Sequence, residues 1–142
     1  MTTINTNTQP TSKAWNIGLW VAQVALAAMF LMAGFMKLTS APADMVAMGM
    51  LWAENTPVAL IRFIGTAEVL GAIGVILPAA TRIMPDLTKL AALGLAVIMV
   101  LAFGLHAVRG EFEVLPMNVI LFALAGLVIW GRTKKAPIAP RG

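Results

Sequence analysis

At 142 residues, 60% of them hydrophobic and only 11% charged, the chain is long enough for one domain and too apolar to cover a water-facing surface, since soluble domains carry about 25% charged residues. Its net charge of +4 does not make it a nucleic-acid binder, because the basic residues sit at the ends of apolar runs and in the tail instead of in a stripe on one face. With no cysteine and a single histidine, His106, it has no disulfide framework, thiol relay, iron–sulfur cluster or cysteine zinc site, and no haem held between two histidines of one chain.

Residues 1–13 are polar and rich in Thr and Asn, and read as a disordered tail. The 22 residues from Trp15 to Met36 carry no charge, enough to span a bilayer as the first transmembrane helix, which Lys37 ends. A signal peptide cleaved near Ala41-Pro42-Ala43 is the rival reading. A signal h-region, however, runs only about 7–15 residues, and Lys37 stands between the run and that site, so an uncleaved helix is expected. In residues 38–56, Pro42 and Asp44 open a short helix toward Trp52 that suits the membrane interface. Pro57 sits where helices favour proline at their first position and starts a second span over 57–77, with Arg62 and Glu68 inside it. Pro78 and Pro85 bracket a loop holding Arg82 and Asp86. Lys89 and Arg109 bound a third span of 19 residues, and Glu111 and Glu113 mark the next connection. The fourth span runs from about Leu115 to Gly131, and 132–142 form a basic tail. The expected fold is all-α: an integral membrane four-helix bundle over 14–131, with a short interfacial helix after the first transmembrane helix.

Basic residues stay on the cytoplasmic side of a membrane. Lys13, Arg82, Lys89, Arg132, Lys134, Lys135 and Arg141 fall on the side of both termini, against Lys37, Arg62 and Arg109 on the other. Both termini are therefore expected in the cytoplasm, with the chain in the cell (inner) membrane. Trp15, Trp20 and Trp130 near one face and Trp52 near the other match an aromatic belt.

The residues that are costly to bury carry the information. A carboxylate at the bilayer centre costs about 2.5–3.5 kcal/mol on insertion scales, and Glu68 is near the middle of its span. It must pair, face a wet cavity or be protonated. At 1.5 Å per residue, Arg62 lies roughly 9 Å from Glu68 along the helix, and His106 and Asn118 fall at about the depth of Arg62. If they face inward, Arg62, His106 and Asn118 form a polar vestibule with Glu68 at its floor and Lys37 nearer the surface, a ligand-binding or proton-carrying site. Gly65, Gly71 and Ala72 lie at −3, +3 and +4 from Glu68 on its own face, and Gly74 continues the run of small residues, which let helices approach closely. The competing reading is structural. Glu68 pairs with Arg62 or Lys37 to hold the bundle, Lys37 and Arg109 anchor at the interface, and Gln23 and Asn118 bridge helices. Met29, Met32, Met36, Met45, Met48 and Met50 have the chemistry of a Cu(I) site, but methionine more often fills gaps between helices, and no metal site is expected.

The run Arg62-x-x-Gly65-x-x-Glu68-x-x-Gly71-Ala72-x-Gly74-x-x-Leu77-Pro78, with Ala33-Gly34 and Lys37 ending the first helix, resembles the hallmark of the DoxX-like family of small membrane proteins, over most of 15–131. That resemblance implies a four-helix bundle, Arg62 and Glu68 as the functional pair with Lys37 beside them, and an association with quinone-linked redox chemistry. The cysteine pairs of the methylamine-utilisation and vitamin-K-reductase-like relatives are missing, so a redox role is expected to use an external cofactor, a quinone held in the bundle, and a redox protein partner. Two other functions stand beside this one. A small proton-linked transporter or ligand-binding protein would need a homo-oligomer, since four helices without an inverted repeat are few. A scaffold or assembly subunit would have no chemistry of its own.

Overall fold

The computed structural model describes residues 12–142. Apart from Ser12 and Lys13, the tail expected over 1–13 lies outside the described residues. The helices are α1 (Lys13–Thr39), α2 (Pro42–Ala47), α3 (Val58–Thr81), α4 (Asp86–Arg109) and α5 (Leu115–Lys134). Short 3-10 turns at Leu51–Ala53 and Phe112–Val114 lie in the connections. Four of the helices, α1, α3, α4 and, with its leading turn, α5, are long and apolar enough to cross a membrane. They form a closed ring in which α1 packs on α3, α3 on α4, α4 on α5, and α5 back on α1.

The spacing of the buried residues explains this packing. On α3 they are Ile61, Gly65, Glu68, Ala72, Val75 and Ala79, separated alternately by four and three. On α5, Asn118, Leu121, Ala125, Val128 and Arg132 follow the same rhythm. A stripe repeating every 3.5 residues keeps facing its partner if the helices wind left-handedly. The outward faces carry Phe63, Leu70, Leu93, Val97 and Leu101, all exposed. Inside and outside differ in side-chain size more than in polarity, as expected where lipid is the solvent.

The small residues around Glu68 serve two neighbours. Gly65 meets α1, whereas a Cβ on Gly71 would stand 2.4 Å from Leu95 and one on Gly74 would stand 2.7 Å from Ala91, both on α4. Ala72 is buried in the central apolar cluster with Leu26, Phe30, Leu95 and Val128.

The two ends of the bundle are closed differently. At one, Met45 of α2 and Trp52 and Ala53 of the following turn pack on Ile61 of α3. At the other, which carries the described termini, α5 continues past Gly131 to Lys134. Arg132, read from sequence as part of the basic tail, is buried there instead. Beyond it, Ala136 is buried, the backbone N–H of Arg141 donates to the Arg82 carbonyl at 2.8 Å, and Arg82 Nε donates to the Ala139 carbonyl at 3.0 Å. Arg82 caps α3 in the left-handed region, φ 59°. α3 extends through Pro78 to Thr81, past the expected end, because an internal proline removes one helix hydrogen bond without ending the apolar face.

Candidate functional site: a buried ion pair between α1 and α3

The site is built on a close approach of backbones. A Cβ on Gly34 would stand 2.7 Å from the Gly65 carbonyl oxygen, and one on Gly65 would stand 2.9 Å from that of Gly34. With no side chains between them, α1 and α3 come near enough for residues one turn away on each to meet. Lys37 Nζ donates to both oxygens of Glu68, at 3.0 Å and 2.8 Å. Glu68 stands ten residues beyond Val58, so its carboxylate is carried about 15 Å along α3 from the helix start, near the middle of that helix. That carboxylate is buried, and the Lys37 side chain is 13% exposed. The Trp52 ring covers the ammonium, with Nζ 5.8 Å from the ring centre, a cation–π contact. Arg62 Nη1 donates to the Lys37 carbonyl, which lies in the last turn of α1.

Electrostatically this is a neutral pair. Each charge removes the cost of burying the other, provided the geometry holds them together. Protonation of Glu68 would remove the negative charge that holds the Lys37 ammonium.

Of the residues expected at the site, Lys37, Glu68 and Arg62 are thus joined. His106 and Asn118 are placed in other surroundings. At the end of α4, His106 Nδ1 is 2.5 Å from Glu111 Oε2, and Arg109 Nε donates to Glu111 Oε1 at 2.8 Å. Arg109 Nη2 also donates to the Leu51 carbonyl at 3.0 Å, tying the α4–α5 connection to the 3-10 turn beside Trp52. The Glu111 carboxyl is held below the usual carboxylate range, first by its hydrogen bond from Arg109 and then by His106, against an opposing effect of burial. Asn118 lines a small niche between α4 and α5. Among the described residues, no group of three or more His, Asp or Glu side chains is placed to hold a metal ion.

A second polar cluster is built on Gln23, expected to bridge helices, and on Arg132, whose part in it was not anticipated. Arg132 Nε donates to Gln23 Oε1 at 2.7 Å, and its Nη1 donates to Asn16 Oδ1 at 2.7 Å and to the Ala136 carbonyl at 3.1 Å. The guanidinium lies 5.5 Å from the Trp20 ring centre. Gln23 in turn donates to the Val75 carbonyl at 2.6 Å, one turn before Pro78. The available signals were Asn16 and Gln23, two primary amides inside an uncharged and otherwise apolar run.

A model of the DoxX-like family matches residues 21–128 of this chain. No curated protein and no solved structure matches it.

Proposed function

The chain belongs to the DoxX-like family, and from that premise we propose that this multipass membrane protein is an accessory subunit in quinone-linked redox chemistry, with the Lys37–Glu68 pair and Arg62 as its polar site. The observation that carries this reading is the ion pair itself, buried about halfway along α3. Reducing a quinone takes up electrons and protons together. Lacking cysteine, this chain would receive the electrons through a partner protein, while Glu68 offers a protonatable group at the depth a membrane-soluble quinone occupies. Intramembrane ionisable residues mark such pathways more often than chance placement allows. The excess of basic residues at the end of the bundle carrying the termini supports cytoplasmic termini in the inner membrane. The test is mass spectrometry of small molecules extracted from purified protein. Wild type is expected to retain a quinone near one per chain, and Glu68→Gln and Arg62→Ala are expected to lose it. No retained quinone in any of the three, with all equally folded, overturns the reading.

A second reading draws on one specific observation: both Glu68 oxygens are already held by Lys37, and Arg62 is engaged by a carbonyl. That arrangement favours a scaffold or assembly subunit whose charges lock α1 to α3. Normal activity of a partner complex containing Glu68→Gln, with loss of that complex when the chain is deleted, would select it.

A further inference from the structure

Between α4 and α5 lies a niche of about 180 Å³, lined by Met99, Val100, Phe103, Asn118, Val119 and Phe122. Met99 and Asn118 are buried at its floor, whereas Val100, Phe103, Val119 and Phe122 lie on the outward surface of the bundle. The mouth therefore opens sideways, toward lipid. Asn118 is 9% exposed, and its Nδ2 has no hydrogen-bond partner. An unpaired amide in apolar surroundings costs about 2 kcal/mol or more, and lipid tails offer it nothing. A half-turn of the side chain exchanges its oxygen and nitrogen, so the amide presents either a donor or an acceptor to a guest.

We propose that this niche is a binding site for a neutral, membrane-soluble six-membered ring bearing one hydroxyl or carbonyl. Size fits, since an apolar cavity of about 150 Å³ takes a benzene. Composition fits too: Phe103 and Phe122 offer ring faces and edges to an aromatic guest, Met99 offers a polarisable sulfur, and Asn118 reads the single polar substituent. The site is separate from the Lys37–Glu68 pair and does not depend on the role proposed for it.

Phenol and benzene are suitable probes, titrated into full-length protein in lipid nanodiscs carrying ¹³C-methyl methionine, with the Met99 signal assigned through Met99→Leu. Both should shift the Met99 signal saturably, with phenol roughly tenfold tighter, the effect of one hydrogen bond to an otherwise unpaired buried amide. Asn118→Leu should erase the preference while benzene still binds. Val100→Trp, on the lipid-facing rim and so spared any folding burden, should exclude both. Glu68→Gln should leave binding unchanged, which separates this proposal from the quinone reading. Absence of a saturable shift, equal affinity for the two probes in wild type, or a preference that survives Asn118→Leu overturns the proposal. So does unimpeded binding to Val100→Trp, which would also decide the matter if Asn118→Leu did not fold.

Discussion

Gly34 and Gly65 touch backbone to backbone, each positioned so that a Cβ on one would stand within 3 Å of the other's carbonyl oxygen. This contact, one turn from the ion pair on both helices, sets the separation at which Lys37 reaches Glu68. Gly34→Ala and Gly65→Ala should therefore each destabilise the bundle by about 1–3 kcal/mol, the usual cost of forcing extra volume into a packed interface. Gly126→Ala, where nothing lies within 4 Å, is the control and should be neutral or stabilising. Unfolding of purified protein in a detergent titration measures all three, and equal behaviour of Gly34→Ala and Gly126→Ala would refute the contact.

Removing one member of the ion pair should cost more than removing both. Lys37→Met leaves the Glu68 carboxyl buried without its partner, and losses of about 3–5 kcal/mol follow from breaking buried pairs this way. Lys37→Met combined with Glu68→Leu replaces the pair by apolar packing and should recover much of that loss. The comparison is made in the same detergent titration. A double variant no more stable than Lys37→Met would show that the two charges do not compensate each other.

The cluster at the other end should behave as a coupled unit. Gln23→Leu removes the acceptor for Arg132 and the donor to Val75, with an expected cost of about 1–3 kcal/mol for the groups left unpaired. A double-mutant cycle with Arg132→Leu should give a coupling of about 0.5–3 kcal/mol, as for residues sharing one hydrogen-bond network. Strict additivity would mean that the two side chains do not bond in the membrane.

Glu111 predicts a pH dependence with a definite sign. Its carboxyl is held below its ordinary value of 4.5 in the folded chain, so the unfolded chain takes up the proton first as acid is added. The stabilisation from Arg109 and His106 is then complete above about 4.5 and is lost as pH falls through the folded value. Glu111→Gln should flatten the acid limb of a stability–pH curve. A curve of unchanged slope in that variant would exclude Glu111 as its source.

Much of this architecture was legible in the sequence, because uncharged runs of bilayer length admit few other structures. The spans of α1, α3, α4 and α5 follow from where Lys37, Lys89, Arg109 and the prolines stand. Glu68 was identifiable as the costly residue of its span, with pairing one of three ways to bear that cost beside a wet cavity and protonation. Its partner was less legible: Lys37 and Arg62 were both in reach, and only the Gly34–Gly65 approach brings the ammonium to the carboxylate and leaves the guanidinium on a carbonyl. The expected grouping of His106 and Asn118 with Arg62 rested on depth alone. Depth does not fix rotation about the helix axis, and Glu111, five residues beyond His106, was a nearer partner. Arg132 was misplaced because a cation after the last apolar residue looks like part of a tail. What draws it inward are Asn16 and Gln23, more than a hundred positions earlier.

That long reach bears on the order of events during synthesis. Asn16 and Gln23 enter the bilayer with α1, more than a hundred residues ahead of the guanidinium that engages them. Gln23 can bond the Val75 carbonyl once α3 has followed it in, but its oxygen has no guanidinium until α5 arrives. Among the described helices the α1–α5 seam is thus the last to close, and a chain stalled before Arg132 would hold an open row of helices with the Gln23 amide oxygen still without its guanidinium.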